Sequence, residues 1–262
     1  MQIQFHKYQG TGNDFILIDN RDESVKLDKD QIAFLCHRRF GIGADGLMLL
    51  ENAPGADFRM VYFNSDGAES SMCGNGGRCI TAFAKSLGII VNRAHFLAID
   101  GMHEASVSED GMVSLKMKDV SEINSQPDHA VLDTGSPHYV QWVHDTAAVD
   151  VVSTGRNIRY QPRFAPGGLN VNFAHKISDS ELKVRTYERG VEDETLSCGT
   201  GVTAAAIAAS GDATGLFVTN VHTPGGLLQV SFEKSEPGQA QDVILQGPAV
   251  FVFKGEIELP QY

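Results

Sequence analysis

The chain has 262 residues, of which 42% are hydrophobic and 21% charged, so it is long enough for one large domain or two modest ones with ordinary globular composition. Its 21 Lys and Arg against 33 Asp and Glu give a net charge of −12, and because duplex-binding proteins are normally basic we expect no nucleic-acid partner. No apolar run approaches the roughly 20 residues that span a bilayer, and the first ten residues lack the basic-then-apolar pattern of a signal peptide, so we expect no membrane association and a cytoplasmic location.

The first half of the chain is predicted to alternate strands with two helices. Apolar runs with few breakers predict strands over 15–19, 46–51, 57–64 and 95–100. Helices are predicted over 30–41, closed by Gly41, and over 76–88, ended by Gly88. A hairpin follows, with Asp110 and Gly111 as its turn.

The second half follows a similar order of elements. A strand is predicted over 181–190, and an Ala-rich, apolar helix over 199–212. A strand, a turn and a second strand are predicted over 216–233, and further strand over 242–259.

One octapeptide pattern, E-x-x-x-C-G-x-G, occurs in both halves. The first copy runs over 69–76 and the second over 194–201, so that Cys73 and Cys198 lie 125 positions apart in a chain of 262. Each copy follows a predicted strand and begins a predicted helix. A duplicated α/β unit is the simplest explanation.

The predicted domain boundary lies in the polar, turn-rich stretch 118–130. We therefore expect an N-terminal half over 1–119 and a C-terminal half over 120–252. The last strand, at about 253–262, could complete the N-terminal half.

The position of the two cysteines predicts acid–base chemistry. A helix N-terminus carries partial positive charge and free N–H groups, and can lower a cysteine pKa from about 8.5 to roughly 3.5–7.5. The glycines after Cys73 and Cys198 allow a ligand to approach those N–H groups closely. A thiolate on one face of a carbon and a thiol on the other would invert a stereocentre. Such a reaction needs neither a metal nor an organic cofactor, and we expect neither.

These motifs have other interpretations. Both cysteines could be buried structural residues, as we expect for Cys36 and Cys79, although glycine-rich helix starts are poor structural choices. The segment 41–46 fits G-x-G-x-x-G, but a dinucleotide site needs a strand before it and a helix after it, so a glycine-rich turn is favoured. A cysteine hydrolase using His138 would leave the second cysteine without a function. No C-x-x-C occurs, which argues against a zinc ribbon.

Several motifs in order resemble the diaminopimelate epimerase family, from residue 6 to about residue 253. They are GTGNDFILIDNR, NSDGAESSMCGNGGRC, GSPH, LNVNFAH, YERGVEDETLSCGTG and TPGG. The resemblance implies an α/β (α+β) protein of two similar domains, each a curled, mostly antiparallel sheet around a central helix, with the active site in the cleft between them. It implies an isomerase that interconverts LL- and meso-2,6-diaminopimelate without pyridoxal phosphate, in lysine and peptidoglycan synthesis. A homodimer is possible.

The resemblance also implies roles for individual residues. The acid–base pair would be Cys73 and Cys198, tuned by His138 and Glu188. The helix-start residues that hold the reacting carboxylate would be Gly74, Asn75, Gly199 and Thr200. The distal end of the substrate would be bound by Asn13, Asn64, Asn170 and Arg189, with Glu188 also in contact.

Departures from the family pattern leave alternatives open. Ser136 stands where many members have asparagine, and Gly46 where some have glutamine, so the departures concern recognition of the distal end and not the chemistry. Two alternatives are a proline racemase or hydroxyproline epimerase, whose first cysteine is usually followed by Gly-His, and a non-catalytic amino-acid-binding protein of the same fold. The asparagines at 13 and 64 could also serve turns, and His138 could be an ordinary loop residue.

Overall fold

The computed structural model describes residues 2–259. These residues form two compact units, the first made of 2–115 with 248–259 and the second of Lys116–Gly247. No helix in the described part of the chain has both the length and the apolar character to cross a bilayer.

The first unit holds most of the elements of the N-terminal half. They are β1 (Gln2–Gly10), β2 (Asn13–Asp19), α1 (Lys29–Cys36), β3 (Gly46–Glu51), β4 (Phe58–Asn64), β5 (Glu69–Ser70), α2 (Gly74–Ser86), β6 (Arg93–Ala98), β7 (Gly101–Val107) and, at its end, β8 (Val113–Lys116). The pairs β2–β3 and β4–β6 are parallel, and the other pairs of this unit are antiparallel.

The second unit repeats this plan. Its elements are β9 (Ile123–Ser125), β10 (His129–Asp133), β11 (Pro137–Trp142), α3 (Val151–Arg159), β12 (Asn170–Ser178), β13 (Glu181–Glu188), β14 (Asp193–Thr195), α4 (Gly199–Ala209), β15 (Gly215–Thr223), β16 (Gly226–Lys234) and β17 (Gln241–Gly247). The final strand, β18 (Val250–Glu258), belongs to the first unit and pairs antiparallel with β1.

The repetition extends to the strand pairings. In each unit a helix separates the two strands of the first parallel pair, β2–β3 or β11–β12. A second buried helix then connects the strands of the other parallel pair, β4–β6 or β13–β15. Shared order and shared pairing support the duplication inferred from the octapeptide.

Each unit curls its sheet around one buried helix. Nearly every residue of α4 is buried, as expected for a helix that is apolar on all sides. α2 is buried along most of its length and ends at Ser86, with Gly88 in the left-handed conformation two residues later. The predicted α/β fold of curled, mostly antiparallel sheets with few helices is confirmed.

Most of the predicted elements are present, but one helix was predicted too long. The helix predicted over 30–41 ends at Cys36, because the N–H groups of Ile42 and Gly43 both bond to the Leu35 carbonyl and turn the chain away from the helix axis. Sequence patterns did not predict β1, β5, β9–β12, β14 or α3. The predicted strand at 253–262 is β18 up to Glu258, and its last three positions lie outside the described residues.

Candidate active site

Cys73 is the N-cap of α2. Its backbone is extended, and its Sγ accepts a hydrogen bond from the Gly76 N–H at 3.2 Å, as an N-cap oxygen would. A Cβ on Gly76 would lie 3.1 Å from this sulfur and 3.0 Å from Cε of Met48. Glycine at 76 therefore allows the sulfur and a strand side chain to pack against the start of the helix.

The Arg78 guanidinium lies wholly buried inside this helix start. It donates to the Gly74 carbonyl at 3.1 Å and to Oδ1 of Asn75 at 3.1 Å. It also donates to Oγ1 of Thr11 at 3.2 Å and to the Pro248 carbonyl at 3.4 Å. These bonds fix the first turn of α2 to the β1–β2 hairpin turn.

Asn13 is linked to the same turn. Its Oδ1 accepts from Nδ2 of Asn75 at 3.2 Å, and its own Nδ2 donates to Asp45 at 2.7 Å. Asp45 belongs to the glycine-rich segment 41–46, which leads into strand β3 rather than a helix, as expected for a turn. Asn64 is the exposed last residue of β4, opposite Gly46. We call Asn13, Asn64 and residues 73–78 the Cys73 half-site.

Cys198 is the N-cap of α4 and is only 6% exposed. Its sulfur accepts no capping N–H bond from its helix and lies 3.5 Å from Oγ1 of Thr200. The Thr200 carbonyl accepts from Oγ1 of Thr134, in the β10–β11 hairpin. A hairpin turn therefore holds the start of α4, as Thr11 holds the start of α2.

His138 lies fully buried on β11. Burial lowers its pKa from 6.5 to about 3, against a raising effect of Asp133, so the ring is neutral at physiological pH. Its Nδ1 lies 3.0 Å from Nδ2 of Asn172, and that amide nitrogen also bonds to the Tyr139 carbonyl at 3.1 Å. Because a carbonyl only accepts, the group of Asn172 that faces Tyr139 and His138 is its NH₂ donor. Nδ1 of His138 therefore accepts from Asn172, and the proton of the neutral ring is assigned to Nε2.

This Nε2–H has no hydrogen-bond partner within residues 2–259. Buried donors without partners are rare in folded proteins. The neutral His138 therefore offers a donor that a substrate oxygen or a thiolate could accept.

Asn172 is a site residue that the sequence analysis did not identify. It is fully buried, and its Oδ1 accepts from Oγ1 of Thr186 at 2.9 Å. A Cβ on Gly201 would lie 2.2 Å from that Oδ1, so Asn172 packs directly against the first turn of α4. The available signal was its spacing of two from Asn170, which places both buried asparagines on one face of β12.

Asn170 connects two further predicted residues. Its Nδ2 donates to Oγ of Ser136 at 2.8 Å, and its Oδ1 accepts from the backbone N–H of Arg189 at 2.8 Å. Ser136, the departure from the family pattern, thus serves as the acceptor that orients Asn170. Glu188 is the last residue of β13, next to Arg189. We call Ser136, His138, Asn170, Asn172, Glu188, Arg189 and residues 198–200 the Cys198 half-site.

The other two cysteines are core residues, as predicted. Cys36 and Cys79 are buried, and burial raises the pKa of each thiol to about 12. Thiols of that acidity stay protonated near neutral pH.

Comparison with known proteins shows the family of this chain. A family model described as diaminopimelate epimerase matches residues 5–122 and 130–252. A diaminopimelate epimerase of Flavobacterium psychrophilum is 52% identical over 97% of this chain and 100% of its own length. One from Chlorobaculum tepidum is 43% identical over 95% and 99%.

A solved structure shares the fold. It is a phenazine biosynthesis protein of the PhzF family from Bacillus anthracis, with a TM-score of 0.75 and 15% identity over 99% of this chain and 100% of that one. At this identity the likeness concerns the fold alone. The matches at the sequence level cover nearly the whole chain, and the chain belongs to the diaminopimelate epimerase family.

Proposed function

We propose that this protein interconverts LL- and meso-2,6-diaminopimelate, with Cys73 and Cys198 as its acid–base pair. Its family and its 52% identical relative support the substrate and the reaction. The observation that carries the mechanism is the same in both units: a cysteine occupies the N-cap position of a buried helix whose first residue is glycine.

The proposed reaction consists of two proton transfers, which break one C–H and one S–H bond and form one of each. A cysteine thiolate removes the hydrogen from the α-carbon, leaving a carbanion delocalised into the carboxylate. The other cysteine, as a thiol, returns a proton to the opposite face, so the configuration inverts and a thiolate and a thiol remain with exchanged positions. The reverse reaction uses the same groups in exchanged roles.

The helix starts would stabilise the carboxylate as negative charge develops on it. The first N–H groups of a helix have no intrahelical partner and lie at its positive end. Those of Gly74 and Asn75, and of Gly199 and Thr200, occupy this position in α2 and α4. Preorganised donors of this kind stabilise a transition state without reorganising.

His138 would act as a neutral hydrogen-bond donor rather than as a base. With a pKa of about 3 it cannot take a proton from a thiol near neutral pH, which also argues against a cysteine hydrolase. Its Nε2–H is available to a thiolate or to the substrate. We assign Glu188 to tuning the cysteine chemistry and to substrate contact.

The remaining polar residues would bind the distal amino-acid end. They are Asn13, Asn64, Asn170 and Arg189. Asn13 and Asn170 are each held in one orientation by neighbouring side chains, which suits recognition of a fixed group. The proposed chemistry uses these groups alone, with no metal or organic cofactor.

Deuterium exchange tests the proposal. Incubation with LL-diaminopimelate in deuterated water should give meso product carrying deuterium at the inverted α-carbon. Exchange only with proline or hydroxyproline would assign the enzyme to the other substrate class. Binding of diaminopimelate without exchange would indicate a non-catalytic binding protein.

We further propose that the protein is a homodimer that uses β18. Four consecutive apolar residues of this strand, over 250–253, are each 44–51% exposed. Pairing of β18 with the same strand of a second copy around Gly255 would place Lys254 opposite Glu256, as two-fold symmetry allows. Light scattering should give a dimer mass and Val252→Lys a monomer; a monomeric wild type would contradict this proposal.

We also propose a cytoplasmic location. None of the four cysteines, all of them among the described residues, forms a disulfide, which is typical of reducing compartments. Recovery of the exchange activity in the soluble fraction of gently lysed cells, with a periplasmic marker released separately, would support this location. Release of the activity together with that marker would contradict it.

A further inference from the structure

Arg78 is a buried cation whose hydrogen bonds all go to neutral groups. Its four acceptors are two backbone carbonyls, an amide oxygen and a hydroxyl. Within residues 2–259 no carboxylate forms an ion pair with it. A guanidinium remains charged in proteins, and burying a charge without an opposite charge is costly. Some anion should therefore compensate Arg78 in the working enzyme.

We infer that the compensating anion is the Cys73 thiolate, so that Cys73 is the thiolate and Cys198 the thiol in the substrate-free enzyme. This inference rests on the proposed two-cysteine function and assigns the resting state of its acid–base pair. Arg78 would act as a positioning residue, since it affects the substrate only through Cys73 and Asn75.

The geometry around Cys73 favours the charged form. Its sulfur accepts the Gly76 N–H at 3.2 Å, at the positive end of α2. Arg78 is the fifth residue of the same helix and donates to Gly74 and Asn75, the two residues that follow the cysteine. Burial lowers the pKa of Arg78, whereas negative charge on Cys79 or on Cys73 raises it, so Arg78 is electrostatically coupled to both cysteines.

Cys79 is the other thiol coupled to Arg78, and it is excluded. Burial raises the pKa of Cys79 to about 12, although Arg78 lowers it. Cys79 is completely buried, whereas Cys73 is partly exposed. The anion that Arg78 compensates is therefore at the helix start rather than in the core.

The second half of the chain has a neutral residue at the equivalent position. Five residues after Cys198 stands Thr203, whose Oγ1 donates to the Gly199 carbonyl at 2.9 Å. The Cys198 sulfur accepts no capping N–H from α4, and the strand side chain packed on Gly201 is Asn172, which with its partner His138 is neutral. The charged residues of the Cys198 half-site, Glu188 and Arg189, lie at the end of β13. The helix of the Cys73 half-site thus carries a buried cation where that of the Cys198 half-site carries a threonine.

Alkylation without substrate tests this assignment. Iodoacetamide reacts with thiolates, and peptide mass spectrometry gives the rate at each cysteine as a function of pH. In the wild type, the rate at Cys73 should already be at its plateau near neutral pH, while that at Cys198 is still rising. Comparing the shapes of the two pH profiles removes the effect of their different exposure.

Variants at position 78 extend the test. Arg78→Gln should slow alkylation of Cys73 below neutral pH by on the order of tenfold. A nearby positive charge lowers the pKa of a thiol by about one unit or more, and this variant removes that charge. Arg78→Lys should retain much of the wild-type profile, and Thr203→Val, a matched change in α4, should leave Cys73 unaffected.

Three results would overturn the inference. They are a plateau at Cys198 in place of Cys73, an unchanged Cys73 profile in a folded Arg78→Gln protein, and equal slowing in Arg78→Lys. If Arg78→Gln does not fold, the pH profiles of Cys73 and Cys198 alkylation in the wild type still decide which cysteine is the thiolate. Because no substrate is present, failure here is distinguishable from failure of deuterium exchange with diaminopimelate.

Discussion

Acidification should destabilise the second unit through His138. The folded-state pKa of this residue is about 3 because of burial, against an ordinary value of 6.5. Between these values the unfolded chain binds a proton at His138 and the folded chain does not. The stability contributed by the neutral ring is therefore complete above about pH 6.5 and is lost as the pH falls toward about 3.

The expected loss follows from this difference in proton binding. From pH 7 to pH 5 it amounts to about 2 kcal/mol, and by pH 4 to about 3 kcal/mol. The value at pH 5 depends little on the folded-state pKa, because His138 is still neutral in the folded protein at that pH. Most carboxylates remain ionised there, so His138 should dominate the change.

The single tryptophan makes the measurement possible. Trp142 lies on β11, the strand that carries His138, so its fluorescence during urea unfolding reports on this unit. The control is His138→Asn, whose Oδ1 can accept from Asn172 in place of Nδ1. Other titrating groups are common to both proteins, so the pH dependence of their difference isolates His138. The free energy of unfolding of the wild type minus that of His138→Asn should fall between pH 7 and pH 5. A value that stays constant over this range, or that rises on acidification, would refute the reasoning.

Three further predictions concern the site and its supports. Replacing Cys73 or Cys198 by alanine should lower turnover by ~100–10,000-fold with an unchanged circular dichroism spectrum, and near-normal turnover in either variant would contradict the two-base scheme. Gly201→Ala places a methyl group 2.2 Å from an amide oxygen and should lower kcat and cost about 1–3 kcal/mol of stability, whereas Gly167→Ala, which meets nothing within 4 Å, should change neither. Burial raises the pKa of Glu192, but hydrogen bonds from the Gly190 N–H, from two tyrosines and from an arginine hold it at about 2. Glu192→Gln should therefore cost about 2 kcal/mol in urea unfolding and remove part of the stability loss between pH 4.5 and pH 2.

Strand β1, one of several that sequence patterns did not predict, shows where local reasoning fails. In β1 the alternation of buried residues continues from Ile3 and Phe5 to Lys7, which is buried and paired with Asp14 at 2.7 Å. A lysine at an inward position interrupts the apolar pattern on which strand prediction depends. Its partner is seven residues away, on the next strand, so the compensation cannot be seen locally.

The site was predictable where function leaves a local pattern. A cysteine followed by glycines at a helix start is visible in the sequence, and both copies lie where predicted. Asn172 was not predictable in this way, because its role depends on parallel pairing with β11 and on its approach to Gly201. Contacts between distant segments carry this information, and one sequence does not.

The duplicated scaffold explains how two similar halves can hold cysteines in different states. The parallel pairs β2–β3 and β11–β12 have the same register. The third residue of β3 packs on Gly76, and the third residue of β12 packs on Gly201. Phe15, Met48 and Arg78 in the first unit are therefore equivalent to His138, Asn172 and Thr203, respectively, in the second. In the first unit the strands are apolar and the helix carries a cation. In the second the helix is apolar, β11 and β12 carry the neutral, polar pair His138 and Asn172, and the charged residues Glu188 and Arg189 lie at the end of β13. Such a difference decides which of the two cysteines carries the charge at rest, since two interacting thiols in identical surroundings would share it equally.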